Sequence, residues 1–513
     1  MKKLLFFTLL LAATKTHAQV ITNAQIDSVA ELALKTFDVP GIAVAVVKDG
    51  KIVHAKGYGV RSLNTNLPVD ENTLFGIASN TKAFTAAALG ILIDQGKIKW
   101  DDKVTDYIPE FKLYDPYVTE EFTIRDLLTH RSGLGLGAGD LMFWPDSNNF
   151  TKPEIIHNLR YLKPVSSFRT KYDYDNNMYM VAGEVVARVS GMSWENFIQK
   201  NIFDSLGMTQ SGPSYDLLKD KSNVIDAHAP VDGVVQVVHR DHNPAIDAVG
   251  GINSNLTDMC KWIIMQMNDA VYDNGKKLFS NKVHDEMWTL QTIIPVHGQT
   301  PYNTHFAGYG LGWFLSDVHG YKECTHTGGL EGMVTQVTLI PEIKLGILVF
   351  TNQQSSAAFV AVTNTIKDSY FDIKGRDWIR ILKSNSDQGL SKEKQILSDV
   401  WKQVDAQKKV NKQDVSTYTG TYNDKWFGGV DISLRDGKMW FTSKRSYMLN
   451  GEMFPYKGNT FVVKWTNRSM DADAFVIFDL DMNGKPSGMK MKAISPLTDF
   501  SFDFQDLDFS RAN

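Results

Sequence analysis

Ile77-Ala78-Ser79-Asn80-Thr81-Lys82 runs directly into Ala83-Phe84-Thr85-Ala86-Ala87-Ala88-Leu89-Gly90, and this stretch decides the fold. Between Ser79 and Gly96 the residues Ala83, Ala86, Ala87, Leu89, Gly90 and Ile93 are small or apolar at helical spacing, which predicts a helix buried over most of its surface. Ser79 opens that helix and Lys82, three positions on, shares its face, so the amine can reach the hydroxyl. Burial disfavours the charged form of a lysine, which makes Lys82 a candidate general base for Ser79. The helix start also offers backbone N–H groups and a positive dipole end to a developing oxyanion. The SxxK spacing is weak by itself, because Ser391 to Lys394 and Ser487 to Lys490 match it too. Those two pairs fall in a charged helix and after a hairpin turn, where a lysine is solvated and keeps its ordinary pKa. Context therefore selects Ser79 and Lys82, with an ordinary capped helix as the competing reading of the segment alone.

Working outward, residues 42–47 form an apolar run that ends at Lys48-Asp49-Gly50-Lys51 before residues 52–59 resume, which predicts a hairpin. Residues 123–288 show helical periodicity in short pieces broken by Gly, Pro and Asn, an all-helical insert. Strand patterns return at 309–315, 335–340 and 345–351, so strands from both ends enclose the insert and predict an α/β domain with its site between sheet and helices. Beyond Asp372 the text changes. Ile396, Leu397, Val400, Trp401 and Val404 share one face of a Lys-rich helix that leads into a polar stretch at 408–413, giving a helical linker over 376–413. From 414 to 513 the pattern is all β: Val430, Ile432 and Leu434 alternate before Asp436-Gly437, Val476, Phe478 and Leu480 before Asn483-Gly484, and Phe500, Phe502 and Phe504 close the series. Meandering strands of this number suggest a small barrel.

The chain's 513 residues exceed one ordinary core, consistent with a main domain over 19–375 and the barrel beyond it. The 54 Lys plus Arg nearly balance 58 Asp plus Glu, which excludes the electrostatic footprint of a nucleic-acid binder. Lys2 and Lys3 precede an apolar run at 4–13, followed by Thr16-His17-Ala18, the layout of a signal peptide over 1–18 cleaved near Ala18. About ten apolar residues cannot cross a hydrocarbon core that needs roughly twenty, so an anchor is disfavoured and a periplasmic or secreted mature chain with no membrane span is expected. Losing Lys2, Lys3 and Lys15 takes the formal charge from −4 to −7. Cys260 and Cys324 read as two buried thiols rather than a disulfide framework. His239-Arg240-Asp241-His242 lacks the further ligands of a tetrahedral set, so no metal and no cofactor are expected.

Several segments fit one ordered pattern: residues 77–82, Leu127-Leu128-Thr129-His130-Arg131-Ser132-Gly133-Leu134, Tyr174-Asp175-Asn176, Gly191, Leu206-Gly207-Met208 and His326-Thr327-Gly328. Over approximately 26–370 the chain resembles the class C β-lactamase-like serine hydrolases, a group that includes penicillin-binding proteins, DD-peptidases and esterases. The resemblance implies an acyl-enzyme on Ser79, with Tyr174 passing the proton to the leaving group and Asn176 orienting Lys82 and substrate. A second YxN match at Tyr272-Asp273-Asn274 runs into Gly275-Lys276-Lys277, which is turn chemistry, whereas Tyr174 precedes a helical pattern at Tyr179, Val181, Ala182, Val185 and Val186. His326 stands where many relatives carry lysine, and with an ordinary pKa near 6.5 it would be a conditional cation beside Tyr174. The same resemblance implies an oxyanion hole from the N–H groups of Ser79 and Gly329, with Gly328 beside them as a substrate-binding residue; His130, though part of a matching segment, reads as a structural residue of the loop near the site. The C-terminal segment resembles a lipocalin-like domain that would wall the cleft or mediate assembly. The implied substrate is a small molecule or peptide: a D-amino-acid peptide, a β-lactam or a small ester. His326 inclines the choice toward peptidase or esterase. The alternatives are a transacylase, in which an amine replaces water, and a non-hydrolytic sensor of β-lactams or wall fragments.

Overall fold

The strand Gly41–Lys48 (β1, GIAVAVVK) is apolar at nearly every position and buried at all but its last residue, the pattern of a strand covered on both faces. The computed structural model, which describes residues 20–410 and 414–512, places it inside an eight-stranded antiparallel sheet. The other strands are β2 (Lys51–Gly59), β3 (Thr292–Ile294), β4 (Ala307–Tyr309), β5 (Phe314–Val318), β6 (Tyr321–Leu330), β7 (Met333–Ile340) and β8 (Leu345–Thr351). Their order is β2-β1-β8-β7-β6-β5-β4-β3. Because β1 pairs with β8, Ile42 opposite Thr351, the predicted hairpin joins strands from the far end of the domain and everything between β2 and β3 is an insert.

The two faces of β1 separate by alternate residues. Ile42, Val44 and Val46 pack with Ile26, Ala30 and Ala33 of α1 (Asn23–Thr36) and with the later helix Ser356–Tyr370. Ala43, Ala45 and Val47 face the main core, which also holds α2 (Thr81–Asp94). The insert is helical in several pieces, including α3 (Asn176–Ser190), but it is not all-helical as expected. Short two-stranded ribbons pair Phe75–Gly76 with Asn253–Ser254, His228–Val231 with Val234–Val237, and Val271–Tyr272 with Lys276–Lys277. Asp232 and Gly233 turn one of these with positive φ at both positions, hairpin chemistry too short for a periodicity pattern to reveal.

Following α4 (Ser356–Tyr370), the helix α5 (Trp378–Val410) occupies most of the helical linker expected over 376–413; residues 411–413 lie outside the described residues, as does the predicted signal peptide. It is anchored at both ends. Trp378 and Ile379 join the α1 side of the sheet, while Val400 and Val404, flanked by Leu397 and Trp401, pack on Val462 and Ile494 of the second domain. Ile396 falls off that stripe and is 39% exposed. Eight strands then close a barrel: β9 (Gly420–Asp424), β10 (Gly428–Arg435), β11 (Lys438–Ser443), β12 (Asn450–Lys457), β13 (Thr460–Trp465), β14 (Ala474–Leu480), β15 (Pro486–Ala493) and β16 (Asp508–Arg511). Val430, Ile432, Val476 and Phe478 fill its interior, whereas Leu434 and Leu480, at the strand ends beside turns, are exposed. Phe500, Phe502 and Phe504 do not continue the strands as expected. They sit in the irregular segment between β15 and β16, which reaches over to the first domain. Cys260 and Cys324 are buried and unpaired. Among the described residues no helix is long and apolar enough to cross a membrane.

Candidate active site

Ser79 lies on a single tight turn, Ala78–Asn80, immediately before α2, slightly ahead of the helix that the sequence pattern has it open. Ala78 takes the left-handed conformation at φ 47°, which bends the chain sharply enough to present the next side chain. Thr81 to Leu92 of α2 are all buried, so the Lys82 amine has left water. Burial brings its pKa down to about 7 against the opposing pull of Asp140 and Asp175. Lys82 Nζ lies 2.9 Å from Ser79 Oγ, 2.8 Å from Asn176 Oδ1 and 3.2 Å from Val249 O. The last two are pure acceptors. An uncharged amine therefore directs its two N–H bonds at them and leaves its lone pair for the serine hydroxyl proton.

Asn176 begins α3, and its Nδ2 donates to Asp140 Oδ2 at 2.8 Å. Asp140 is fully buried, its other oxygen has no partner, and burial holds its pKa well above the carboxylate range. It sits in a turn entered through Gly139 at φ 80°. Gly139 N and Leu141 N donate to Asp503 Oδ2 (2.6 Å) and Oδ1 (2.9 Å), and Asp503 belongs to the second domain. A continuous bonded path thus runs from the barrel domain through Asp140 and Asn176 to Lys82. Phe500 from the same segment meets the Tyr174 ring edge-on, centroids 5.8 Å apart.

The Tyr174 hydroxyl is within hydrogen-bonding reach of Ser79, and burial raises its pKa well above 10. Its ring lies 4.2 Å from that of His130. His130 is kept neutral by burial and by Lys82, and its Nδ1 accepts the Asp175 N–H at 3.0 Å, the structural role expected of it. Asp175, also buried, is pushed up to about 7 by desolvation while Ser132 donates to it.

His326 requires a correction. Burial and the nearby Lys82 lower its pKa to about 3, so it is neutral rather than a conditional cation. Its Nδ1 is 2.6 Å from Thr327 O, which can only accept, so Nδ1 carries the proton and Nε2 accepts from Tyr309 OH at 2.9 Å. Both ring nitrogens are thereby used inside the protein, and the ring braces the site 6.2 Å from Tyr174.

Gly328 faces the Ser79 turn rather than the cavity. A Cβ there would collide with Ile77 O, with Thr335 Oγ1 at 2.6 Å and with Ala78 Cβ at 3.0 Å. Gly328→Ala is expected to push the turn off β6, costing about 1–3 kcal/mol of stability by overpacking. The thermal midpoint should fall and reaction at Ser79 should slow in the same variant; unchanged values for both would refute the close approach. Beyond Thr325, β6 pairs only with β7, because β5 begins at Phe314, opposite Thr325. The edge at 326–330 is therefore open, and Thr327 and Gly329 line the cavity beside Ser79, Tyr174, Asn176 and His326. That cavity encloses about 530 Å³, and Met470, Leu497 and Phe500 of the barrel domain form part of its wall.

The rejected candidates lie elsewhere. Ser391, Lys394, Ser487 and Lys490 are exposed, and Tyr272 to Asn274 form a ribbon turn. His239 and His242 engage different carboxylates, Asp146 and Asp216. Asp140, Tyr309 and Asp503 were not anticipated from sequence.

A serine and a desolvated lysine at the head of a buried helix, set against the open edge of an antiparallel sheet, define a serine-hydrolase fold of the β-lactamase type. The chain belongs to the beta-lactamase family, whose model matches residues 26–370. Residues 405–511 match a domain of unknown function, DUF3471. Curated relatives include unguisins hydrolase ungD of Aspergillus violaceofuscus, 30% identical over 349 residues that cover 64% of this chain and 60% of that protein. Protein flp of Staphylococcus aureus is 28% identical over 342 residues, covering 65% and 64%. The matches thus span less than two thirds of those relatives' own length. Among solved structures, the octameric penicillin-binding protein homologue from Pyrococcus abyssi shares the fold, with TM-score 0.60 at 21% identity over 95% of this chain and 99% of that one.

Proposed function

We propose that the chain is an exported serine hydrolase that opens an amide or ester bond through an acyl-enzyme on Ser79. The observation that carries this is the Lys82 amine, desolvated and held by two acceptors with its third direction on Ser79 Oγ. Ser79 Oγ bonds to the substrate carbonyl carbon as its proton passes to Lys82 Nζ, and the oxyanion takes the backbone N–H groups of Ser79 and Gly329. Tyr174, poised at Ser79, hands its proton to the leaving group as the C–N or C–O bond breaks and regains one from the Lys82 ammonium, which returns to the free amine. Water then cleaves the ester, the proton path running in reverse. The hydrolase among the relatives supports bond cleavage as the outcome, residues 1–18 support export, and the neutral His326 favours peptidase or esterase action over β-lactam turnover.

A labelled fluorophosphonate tests the proposal. One adduct per chain, mapped by peptide mass to Ser79, is the expected result; no adduct, together with no turnover of an ester and D-peptide panel, would sink it. The rate should also depend on pH. Lys82 acts only without its proton, so acylation should climb as pH rises through about 7 and level off above it. A labelling rate flat from pH 5 to 9, in units of about one-pH steps, would contradict that assignment.

A further inference from the structure

Taking the acyl-transfer reading of Ser79 as its basis, we infer that this cavity selects substrates carrying a free ammonium group and rejects those carrying a carboxylate. Its lining includes four carboxyl side chains, Asp241, Glu331, Asp471 and Asp499, and no lysine or arginine among the described residues. Burial makes Asp241 costly to ionise, and the nearby Glu331, Asp146 and Asp499 add to that cost; burial and Asp146 act the same way on Glu331. Asp241 is only 8% exposed, and its Oδ1 has no partner in the protein; Glu331 Oε1 has none either. Buried carboxyl oxygens without donors are costly unless something supplies the missing charge.

The basic side chains nearby are already committed. His239 pairs with Asp146, Arg468 is bonded to Asp473, and Arg240 turns to the Ile225 carbonyl and the Tyr215 ring. At the other end of the cavity His326 is neutral and internally bonded, so no positive side chain greets a substrate carboxylate. An ammonium entering beside Asp241 and Glu331 supplies the absent donors and relieves the mutual repulsion. A carboxylate would add to it. Trp144, Phe314 and Phe500 line the same space, so the group recognised is the ammonium of an amino-acyl amide or ester with an apolar side chain.

The test uses three kinds of probe on one phenylalanine scaffold: phenylalaninamide in both enantiomers, N-acetylphenylalaninamide and N-acetylphenylalanine, which are cationic, neutral and anionic. Binding is measured by calorimetry on the full chain carrying Ser79→Ala, so that it does not depend on acylation. Fluorophosphonate labelling of the wild type reports the acyl-transfer reading separately. The cationic probe should bind at least roughly 10-fold more tightly than the neutral one, as for a hydrogen bond to a charged group, and the anionic probe more weakly still. That preference should shrink several-fold in Glu331→Gln and in Asp499→Asn, each made in the Ser79→Ala background and each checked for an unchanged thermal midpoint. A cationic-to-neutral ratio of one or less, or a ratio the two substitutions leave intact, would overturn the inference even where Ser79 is labelled normally.

Discussion

Lys82→Ala is expected to slow acylation of Ser79 by a factor of about 10²–10⁴, the usual worth of a positioned general base. The direction follows from what surrounds the amine. Asn176 Oδ1 and Val249 O can only accept, so they hold the uncharged amine in the one orientation that offers its lone pair to Ser79 Oγ. Alanine leaves the hydroxyl without a base and leaves both acceptors unbonded. Lys82→Arg separates a base from a mere positive charge, because guanidinium does not give up its proton in a protein. It should be as inactive toward the fluorophosphonate as alanine, with the pH dependence around 7 abolished in the residual rate. Labelling of Lys82→Arg at the wild-type rate would show that Lys82 acts as a fixed charge. The fold should survive both changes, since the neighbouring core of Phe84, Ala87 and Leu89 is untouched, and circular dichroism checks that.

How much of this was legible in the sequence depends on how local each feature is. Ser79 and Lys82 are three residues apart where a tight turn enters a helix whose burial is written in its own alanines, so both position and desolvation could be inferred. Tyr174 and Asn176 were legible as a short motif followed by a helical pattern. The protonation of His326 was not, because it is set by burial and by Lys82, more than 240 positions away in the chain. Asp140 gives no signal: it is one acid in a glycine-rich stretch, and its meaning comes from Asn176 and the turn around it. The alternation of Phe500, Phe502 and Phe504 mimics a strand, yet these residues are placed by the first domain. Phe500 meets Tyr174, and Asp503 beside Phe504 bonds residues more than 360 positions away. Tertiary contact of that range overrides a local period.

That long-range contact yields the second large effect. Asp503→Ala removes the acceptor of the Gly139 and Leu141 N–H groups, both buried at the base of the turn that carries Asp140. Each N–H left unsatisfied costs about 1–3 kcal/mol, so the turn is expected to shift until the groups find water or another acceptor. Asp140 moves with it, Asn176 loses the bond that fixes its amide, and the Lys82 amine loses the partner that aims it. Misplacement by about 1 Å can cost 10²-fold in rate, and a loss of that order in Ser79 labelling is the expected outcome. Asp503 touches no reacting atom. It is a positioning residue, and the pH profile distinguishes that role from simple loss of stability: the rising limb near 7 should move, because Asp140, carried on that turn, is one of the two carboxyls that oppose the lowering of the Lys82 pKa by burial. Asp503→Glu, which keeps two acceptor oxygens, should recover part of the rate. A variant that loses thermal stability but labels at the wild-type rate with an unmoved pH midpoint would show that the barrel merely rests against the catalytic domain. The expected result would instead make the second domain a working part of the site, since one of its carboxylates holds the turn on which the orientation of the base depends.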